Sequence, residues 1–276
     1  MDLVWKGTPV RIRELGAGPP LVLLHGYPLD GAMWSGVARA LAPRFRVLKP
    51  DFPGRGETAA PSEGRLDDYA DFVGAILEAL PGPAGLAGFS MGGYVALILA
   101  RRARPGLAAL ALVDTRAGAD DEAGRARRDE AIALVRAQGP TAVADAMLPR
   151  LLSPASLAHG DLAERVRRIM QRQKPETIEG DLTAMRDRSD SLAALPGIGV
   201  PTLVVVGAAD ALTPPADSEA MASAIPGARL VTIPAAGHLT PMERPGAVAA
   251  ALGDFFAGAL GSAPPPSPPV GGRGSA

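Results

Sequence analysis

Short apolar stretches alternate with longer helical stretches along most of this chain, and that alternation restricts its possible folds more than any other feature. Strands made almost entirely of apolar residues are typical of sheets covered on both faces. Alternating strands and helices predict a mainly parallel sheet with helices on both sides, an α/β fold. The predicted strands lie at 21–24, 47–48, 86–89, 110–113, 203–206 and 230–233, and the predicted helices at 33–42, 65–80, 91–103, 215–225 and 245–258.

The alternation stops between residues 117 and 196, where charged helical stretches occur without a strand pattern. The clearest of them are Glu122 to Gln138 and Leu162 to Gln173. We predict that 117–196, called the insertion below, is a helical cap on a core formed by residues 1–116 and 197–260. Helix boundaries within it are indicated at Gly139-Pro140, Pro149 and Pro154.

The two ends of the chain carry weaker patterns. Residues 3–5 and 10–15 indicate an antiparallel hairpin at one edge of the sheet. Residues 261–276 are rich in Pro, Gly and Ser and predict a disordered tail.

Composition excludes several classes of function. The chain has 276 residues, of which 47% are apolar, and a formal net charge of -1, so no overall field attracts nucleic acid or an anionic membrane. It has no cysteine, which excludes disulfides and cysteine nucleophiles. Neither a signal peptide nor a transmembrane stretch is indicated, so we expect a cytoplasmic protein without nucleic-acid or membrane partners. Nothing in the sequence indicates an oligomeric state.

A nucleophile is indicated by Gly88-Phe89-Ser90-Met91-Gly92, which matches the G-x-S-x-G elbow. The chain must turn sharply from a strand into a helix there, so the residues two before and two after the serine must be small. Because an apolar strand precedes and an apolar helix follows, we predict that Ser90 is a nucleophile. The alternative is a plain strand-to-helix turn.

A serine hydroxyl needs a base to react near neutral pH, and the chain has three histidines. His238 follows the last predicted strand, and open α/β sheets place their sites at the carboxyl ends of strands. We therefore predict that His238 is the base. His25 is expected to brace its loop, and His159 to lie on the surface of the insertion.

The base needs a carboxylate that orients it, and two aspartates follow predicted strands. The order Ser90, Asp210, His238 is the nucleophile–acid–base order of hydrolases with this elbow, which favours Asp210. Asp114 is the competitor, with a helix cap or loop brace as its alternative role.

An oxyanion needs two preorganised N–H donors. We expect them from the backbone of Met91, directly after the nucleophile, and of Tyr27, in the loop after the first buried strand. No metal site or cofactor is expected, because convergent metal ligands and HExxH spacing are absent.

Together these segments resemble the α/β-hydrolase superfamily, in its serine-nucleophile branch, and more finely the 3-oxoadipate enol-lactonases and small esterases. The resemblance implies a helical cap over the active site and no cofactor. Relatives with an aspartate nucleophile are disfavoured by Ser90, and Arg55 is expected to be structural. The matching segments are His25-Gly26-Tyr27-Pro28, Asp51-Phe52-Pro53-Gly54-Arg55-Gly56, the Ser90 elbow, 207–215 around Asp210, and Gly237-His238.

The leading hypothesis is a hydrolase that cleaves a small carboxylic ester or lactone through an acyl-enzyme. Alternatives are a carbon–carbon bond hydrolase of activated diketones, a cofactor-free haloperoxidase or perhydrolase, and a non-catalytic binding protein. Arg116 follows a predicted strand and has two possible roles. It either binds a substrate carboxylate or is a surface arginine of the cap, and the second role is favoured.

Overall fold

The computed structural model describes residues 1–56, 58 and 64–261. Its main sheet contains β3 (Arg13–Leu15), β4 (Pro20–Leu24), β5 (Arg46–Lys49), β6 (Ala84–Phe89), β7 (Leu107–Val113), β8 (Thr202–Gly207) and β9 (Arg229–Ile233). The spatial order is β3-β5-β4-β6-β7-β8-β9. β3 is antiparallel to β5, and the other pairs are parallel. The predicted α/β fold with a mostly parallel sheet is confirmed.

The predicted edge hairpin is wrong in part. β1 (Asp2–Trp5) and β2 (Thr8–Arg11) pair with each other in a separate two-stranded sheet. Only β3 joins the main sheet at its edge, because the chain after β2 turns to pair with β5. The separate hairpin packs instead against a helix of the core, with the Trp5 ring 5.5 Å from that of Phe72.

Helices cover both faces of the main sheet. In β4, Val22 and Leu24 pack into the core on one face, and Leu21 and Leu23 pack into the core on the other, as the alternation of side chains in a strand requires. The first core also holds residues of α2 (Leu66–Glu78), α3 (Met91–Arg101) and α8 (Pro215–Ala224), and the second holds residues of α1 (Ser35–Leu41), α9 (Thr240–Glu243) and α10 (Pro245–Leu260). No helix in the described ranges combines the length and apolarity needed to span a bilayer.

The insertion leaves the sheet after β7 and is helical. It contains α4 (Glu122–Leu151), α5 (Pro154–Leu157), α6 (Gly160–Gln171) and α7 (Pro175–Arg186).

Two of the three boundaries predicted within the insertion are found. Gly139, at φ 75°, breaks α4 at the predicted Gly139-Pro140 position, and Pro154 begins α5. The boundary predicted at Pro149 is wrong: this proline lies inside the last turn of α4, where it costs one hydrogen bond, and the helix ends two residues later. The predicted tail lies outside the described residues except for Gly261.

Candidate active site

Ser90 lies at the sharp turn between β6 and α3. Its backbone is in an uncommon region, at φ 50° and ψ -115°. A Cβ on Gly88 would collide with the backbone of Gly92, and a Cβ on Gly92 would lie 2.7 Å from the carbonyl oxygens of Leu24 and His25. The turn therefore requires both glycines, as the sequence predicts.

The structure brings Ser90, His238 and Asp210 together at the carboxyl ends of three strands. His238 Nε2 is 3.0 Å from Ser90 Oγ, and His238 Nδ1 is 2.8 Å from Asp210 Oδ2. The imidazole is buried, with the Phe89 ring 5.1 Å away. With a proton on Nδ1 bonded to Asp210, Nε2 is left free to accept the serine proton.

Several donors surround the buried Asp210 carboxylate. The backbone N–H groups of Leu212 and Thr213 donate to Oδ1, and Thr213 Oγ1 donates to Oδ2 at 2.7 Å. Burial alone raises the pKa of Asp210, but the charge and hydrogen bond of His238 and the Thr213 donors outweigh it and hold the pKa below its usual value. Asp210 is therefore suited to orient the imidazole and stabilise its cationic form.

Asp114, the competing aspartate, makes different contacts. It accepts a hydrogen bond from Gly207 N at 2.8 Å and a short one from the Thr240 hydroxyl. Burial raises the pKa of Asp114 well above its usual value, and the charge of Asp210 raises it further. Asp114 thus braces the end of β8 and the start of α9, in line with its alternative role in the sequence.

His25 is fully buried in the loop after β4. Its Nε2 accepts a hydrogen bond from Phe52 N at 3.1 Å, so its Nδ1 carries the proton and donates to Gly26 O at 3.0 Å. Burial lowers the pKa of His25 to about 4, which keeps it neutral. His25 therefore braces the loop, as predicted. His159 lies exposed at the start of α6, also as predicted.

Both residues expected to supply oxyanion donors, Met91 and Tyr27, lie beside Ser90. Met91 begins α3, so its N–H has no acceptor within the helix. Tyr27 follows Gly26, and a Cβ on Gly26 would come within 3.0 Å of Ser90 Cβ. The Tyr27 loop therefore passes directly beside Ser90.

A cavity of about 370 Å³ opens beside Ser90 and His238. Its size suits a small molecule. The insertion supplies much of its wall, including the apolar side chains of Met147, Leu151 and Leu182.

Sequence reasoning missed the polar contacts that attach the insertion to the core. Asp30, close after the Tyr27 loop, is buried and accepts two hydrogen bonds from Arg172, at 2.8 and 2.7 Å, and one from Gln173 at 3.0 Å. Ordinary side chains that meet only in the folded chain provide no local pattern from which this contact could be predicted.

Glu243 makes a second such attachment and also supports the loop that carries His238. One carboxylate oxygen accepts from Ser153 N in the insertion at 2.9 Å, and the other accepts from Gly237 N, next to His238, at 2.8 Å. A third attachment joins Asp181 of α7 to Arg55 at 2.6 Å and to Tyr69 Oη at 2.7 Å. Arg55 is thus structural, as expected.

Comparison with known proteins places this geometry in a family. A model of the alpha/beta hydrolase family matches residues 21–251. This chain belongs to the alpha/beta hydrolase family. It is 33% identical to the pimeloyl-[acyl-carrier protein] methyl ester esterase of Chromobacterium violaceum, over 74% of this chain and 80% of that one. Its matches to four other bacterial enzymes of that name span 35–40% of their length.

Solved structures of the family show the same architecture. An esterase from Thermogutta terrifontis, with malate bound, is 36% identical with a TM-score of 0.88, over 94% of this chain and 98% of that one. The enol-lactonase from Burkholderia xenovorans LB400 is 28% identical with a TM-score of 0.85, over 93% of this chain and 99% of that one. These relatives confirm the resemblance inferred from the sequence.

Proposed function

We propose that this protein is a serine hydrolase that cleaves a small carboxylic ester or lactone through an acyl-enzyme. The observation that carries the proposal is the continuous hydrogen-bonded series from Ser90 Oγ through His238 to Asp210, open to a cavity. The esterases and the enol-lactonase among its relatives support the same class of substrate.

In the first half of the proposed reaction, Ser90 Oγ attacks the substrate carbonyl while His238 Nε2 takes the hydroxyl proton. The backbone N–H groups of Tyr27 and Met91 stabilise the negative oxygen of the tetrahedral intermediate. Asp210 stabilises the imidazolium. The carbon–oxygen bond to the alcohol then breaks, His238 donates its proton to the leaving oxygen, and the acyl group stays on Ser90.

In the second half, a water molecule gives its proton to His238 and attacks the acyl-enzyme. The bond to Ser90 Oγ breaks, His238 returns a proton to Ser90, and the carboxylic acid leaves. Water and these side chains complete the reaction, so the proposed chemistry requires no cofactor or metal.

The insertion acts in this proposal as a cap that shapes the substrate cavity. Its Met147 and Leu182 lie in the cavity wall, and Asp30, Glu243 and Asp181 hold it to the core. Residues 1–116 and 197–260 then form the core that carries out the chemistry, and residues 117–196 set which substrates enter.

The test is covalent labelling with a fluorophosphonate, followed by mass spectrometry of the peptides, together with a screen of short-chain nitrophenyl esters, lactones and diketones. We expect one adduct, on Ser90, and ester or lactone turnover that disappears in Ser90→Ala. A folded protein that is not labelled, or is labelled elsewhere, contradicts the proposal. Turnover of diketones alone, or bromide-dependent peracid chemistry alone, replaces it with one of the alternatives.

A further inference from the structure

Positive side chains are concentrated around the cavity beside Ser90, although the whole chain has a net charge of -1. Among the described residues of its wall, the single acidic side chain is Asp120. The arginines of the wall are Arg116, Arg127, Arg128 and Arg150. A cleft lined by one sign of charge attracts ligands of the opposite sign.

The carboxylate of Asp120 is bound by Arg128, which belongs to this group, and by Arg188, so it forms no ion pair with Arg116. Arg128 Nε lies 3.0 Å from Asp120 Oδ2, and an Arg188 nitrogen, behind the wall, lies 2.8 Å from Oδ1. No ion pair joins Arg116 to a carboxylate within the part of the chain that the structure describes.

Arg116 lies close to the nucleophile through two structural connections. It follows Thr115, whose hydroxyl donates to Ser90 O at 2.8 Å. Its guanidinium lies next to the hydroxyl of Tyr94, which is one helical turn after Ser90 on α3. Arg188 stacks over the Tyr94 ring at 4.3 Å from its centroid and fixes the position of that ring.

Two donors at this wall have no hydrogen-bond partner among the residues that the structure describes. The Nε atom of the half-buried Arg116 is inaccessible to solvent and makes no hydrogen bond, and the buried hydroxyl of Tyr27, also in the wall, makes none either. Against the effect of burial, the charges of Asp120 and Asp217 lie near enough to raise the pKa of Arg116, but neither carboxylate pairs with its guanidinium, so a carboxylate on a ligand can take that place.

We propose that Arg116 binds a carboxylate on the substrate, so that the preferred substrates are esters or lactones that carry a second, anionic group. This inference rests on the proposed ester hydrolysis and names its substrate class. A guanidinium suits this role because its paired N–H groups match the two oxygens of a carboxylate. The arginines at the rim of the cavity, Arg127 and Arg150, are exposed and attract the anion before it binds.

The experiment compares matched ester pairs that differ by one carboxylate. On the acyl side, nitrophenyl monoesters of dicarboxylic acids from succinate to suberate are compared with nitrophenyl alkanoates of equal chain length. On the alcohol side, the acetyl ester of hydroxyhexanoate is compared with hexyl acetate. Each pair is measured with the wild type, with Arg116→Gln and Arg116→Lys, and with Arg168→Gln, which makes the same change on an exposed surface away from the cavity.

We expect the wild type to have the higher kcat/KM for the anionic member of at least one series. Arg116→Gln should lower that value roughly ten- to a hundredfold while the neutral ester changes less than about twofold. Arg116→Lys should retain part of the preference, and Arg168→Gln all of it. The preference should also weaken as salt is added.

The inference is overturned if the wild type turns over neutral esters as well as or better than anionic ones in every series. It is also overturned if Arg116→Gln lowers both members of a pair equally. In both cases labelling of Ser90 and turnover of neutral esters would persist, so the proposed function would stand. Absence of labelling and of all ester turnover would overturn both together.

Discussion

Two buried aspartates lie side by side at the ends of neighbouring strands, Asp114 after β7 and Asp210 after β8. Each accepts hydrogen bonds from a backbone N–H and from a threonine hydroxyl. Asp210 alone of the two also contacts an imidazole, that of His238. Burial raises the pKa of Asp114, whereas the contact with His238 holds that of Asp210 low against the same effect. Position at the end of a strand therefore does not fix the role of an aspartate, and the contact with His238 is what distinguishes Asp210 from Asp114.

Removing the imidazole of His238 should have the largest effect. We expect His238→Ala to lower kcat by about 10⁴- to 10⁶-fold, because His238 Nε2 is the group placed to take the Ser90 proton. His238 must be neutral to accept the Ser90 proton, so wild-type kcat/KM should fall tenfold per pH unit on the acid limb of its pH profile. Burial lowers the pKa of His25 to about 4, so His25 should not contribute to this fall.

Steady-state kinetics with a neutral nitrophenyl ester measures both quantities, and His159→Ala serves as the control. That histidine is exposed on the insertion, so the variant should keep the rate and its pH profile. Wild-type kcat/KM in His238→Ala would contradict the mechanism.

Replacing each of the two aspartates by asparagine tests the comparison directly. Asp210→Asn should lower kcat by about 10⁴-fold, because the amide favours the wrong tautomer of the base. Asp114→Asn should change kcat less than about tenfold, since an amide resembles the protonated acid that burial favours there. Both variants are compared by kcat on the same ester, and a reversal of the two effects would assign the acid role to Asp114.

Most of the core and the grouping of Ser90, Asp210 and His238 could be predicted from sequence, because their signals are local. Apolar stretches indicate the strands, and paired glycines indicate the turn at Ser90. The contacts by which Asp30, Glu243 and Asp181 attach the insertion could not be predicted, because they join residues 90 to 143 positions apart. The lack of an ion pair between Arg116 and Asp120 could not be predicted either, because it depends on the packing that brings Arg128 and Arg188 to that carboxylate.

A smaller effect should appear in the dependence of stability on pH. The folded pKa of Asp114 lies above its unfolded value, so its contribution to stability is full below about pH 4 and is lost as pH rises through the folded pKa. The folded pKa of Asp210 lies below its unfolded value, so its contribution is full above about pH 4 and is lost as pH falls through the folded pKa.

Urea denaturation of the wild type and the two Asn variants between pH 4 and pH 7 measures this difference. Relative to the wild type, Asp114→Asn should become more stable as pH rises, whereas the deficit of Asp210→Asn should not shrink. Parallel pH profiles for all three proteins would show that the two carboxylates do not differ in the way the structure indicates.

The smallest expected effect is that of a chelator, which should not change activity. If Asp114, Asp210 and Glu243 interact only with donors of the protein, a chelator should leave kcat/KM of the neutral ester unchanged. Activity that is lost with a chelator and restored by one metal ion would mean that these carboxylates hold a cation, and the contrast between the two aspartates would then need another cause.

The carboxylate of Glu243 has a consequence for how this protein can be recombined with its relatives. Because this carboxylate accepts from both Ser153 N and Gly237 N, the insertion and the loop that carries His238 should be transferred together in a chimera. A chimera in which residues 117–196 come from another hydrolase must therefore keep an acceptor for both N–H groups. If one of the two buried N–H groups loses its partner, the cost is about 1–3 kcal/mol, and Gly237 lies next to His238.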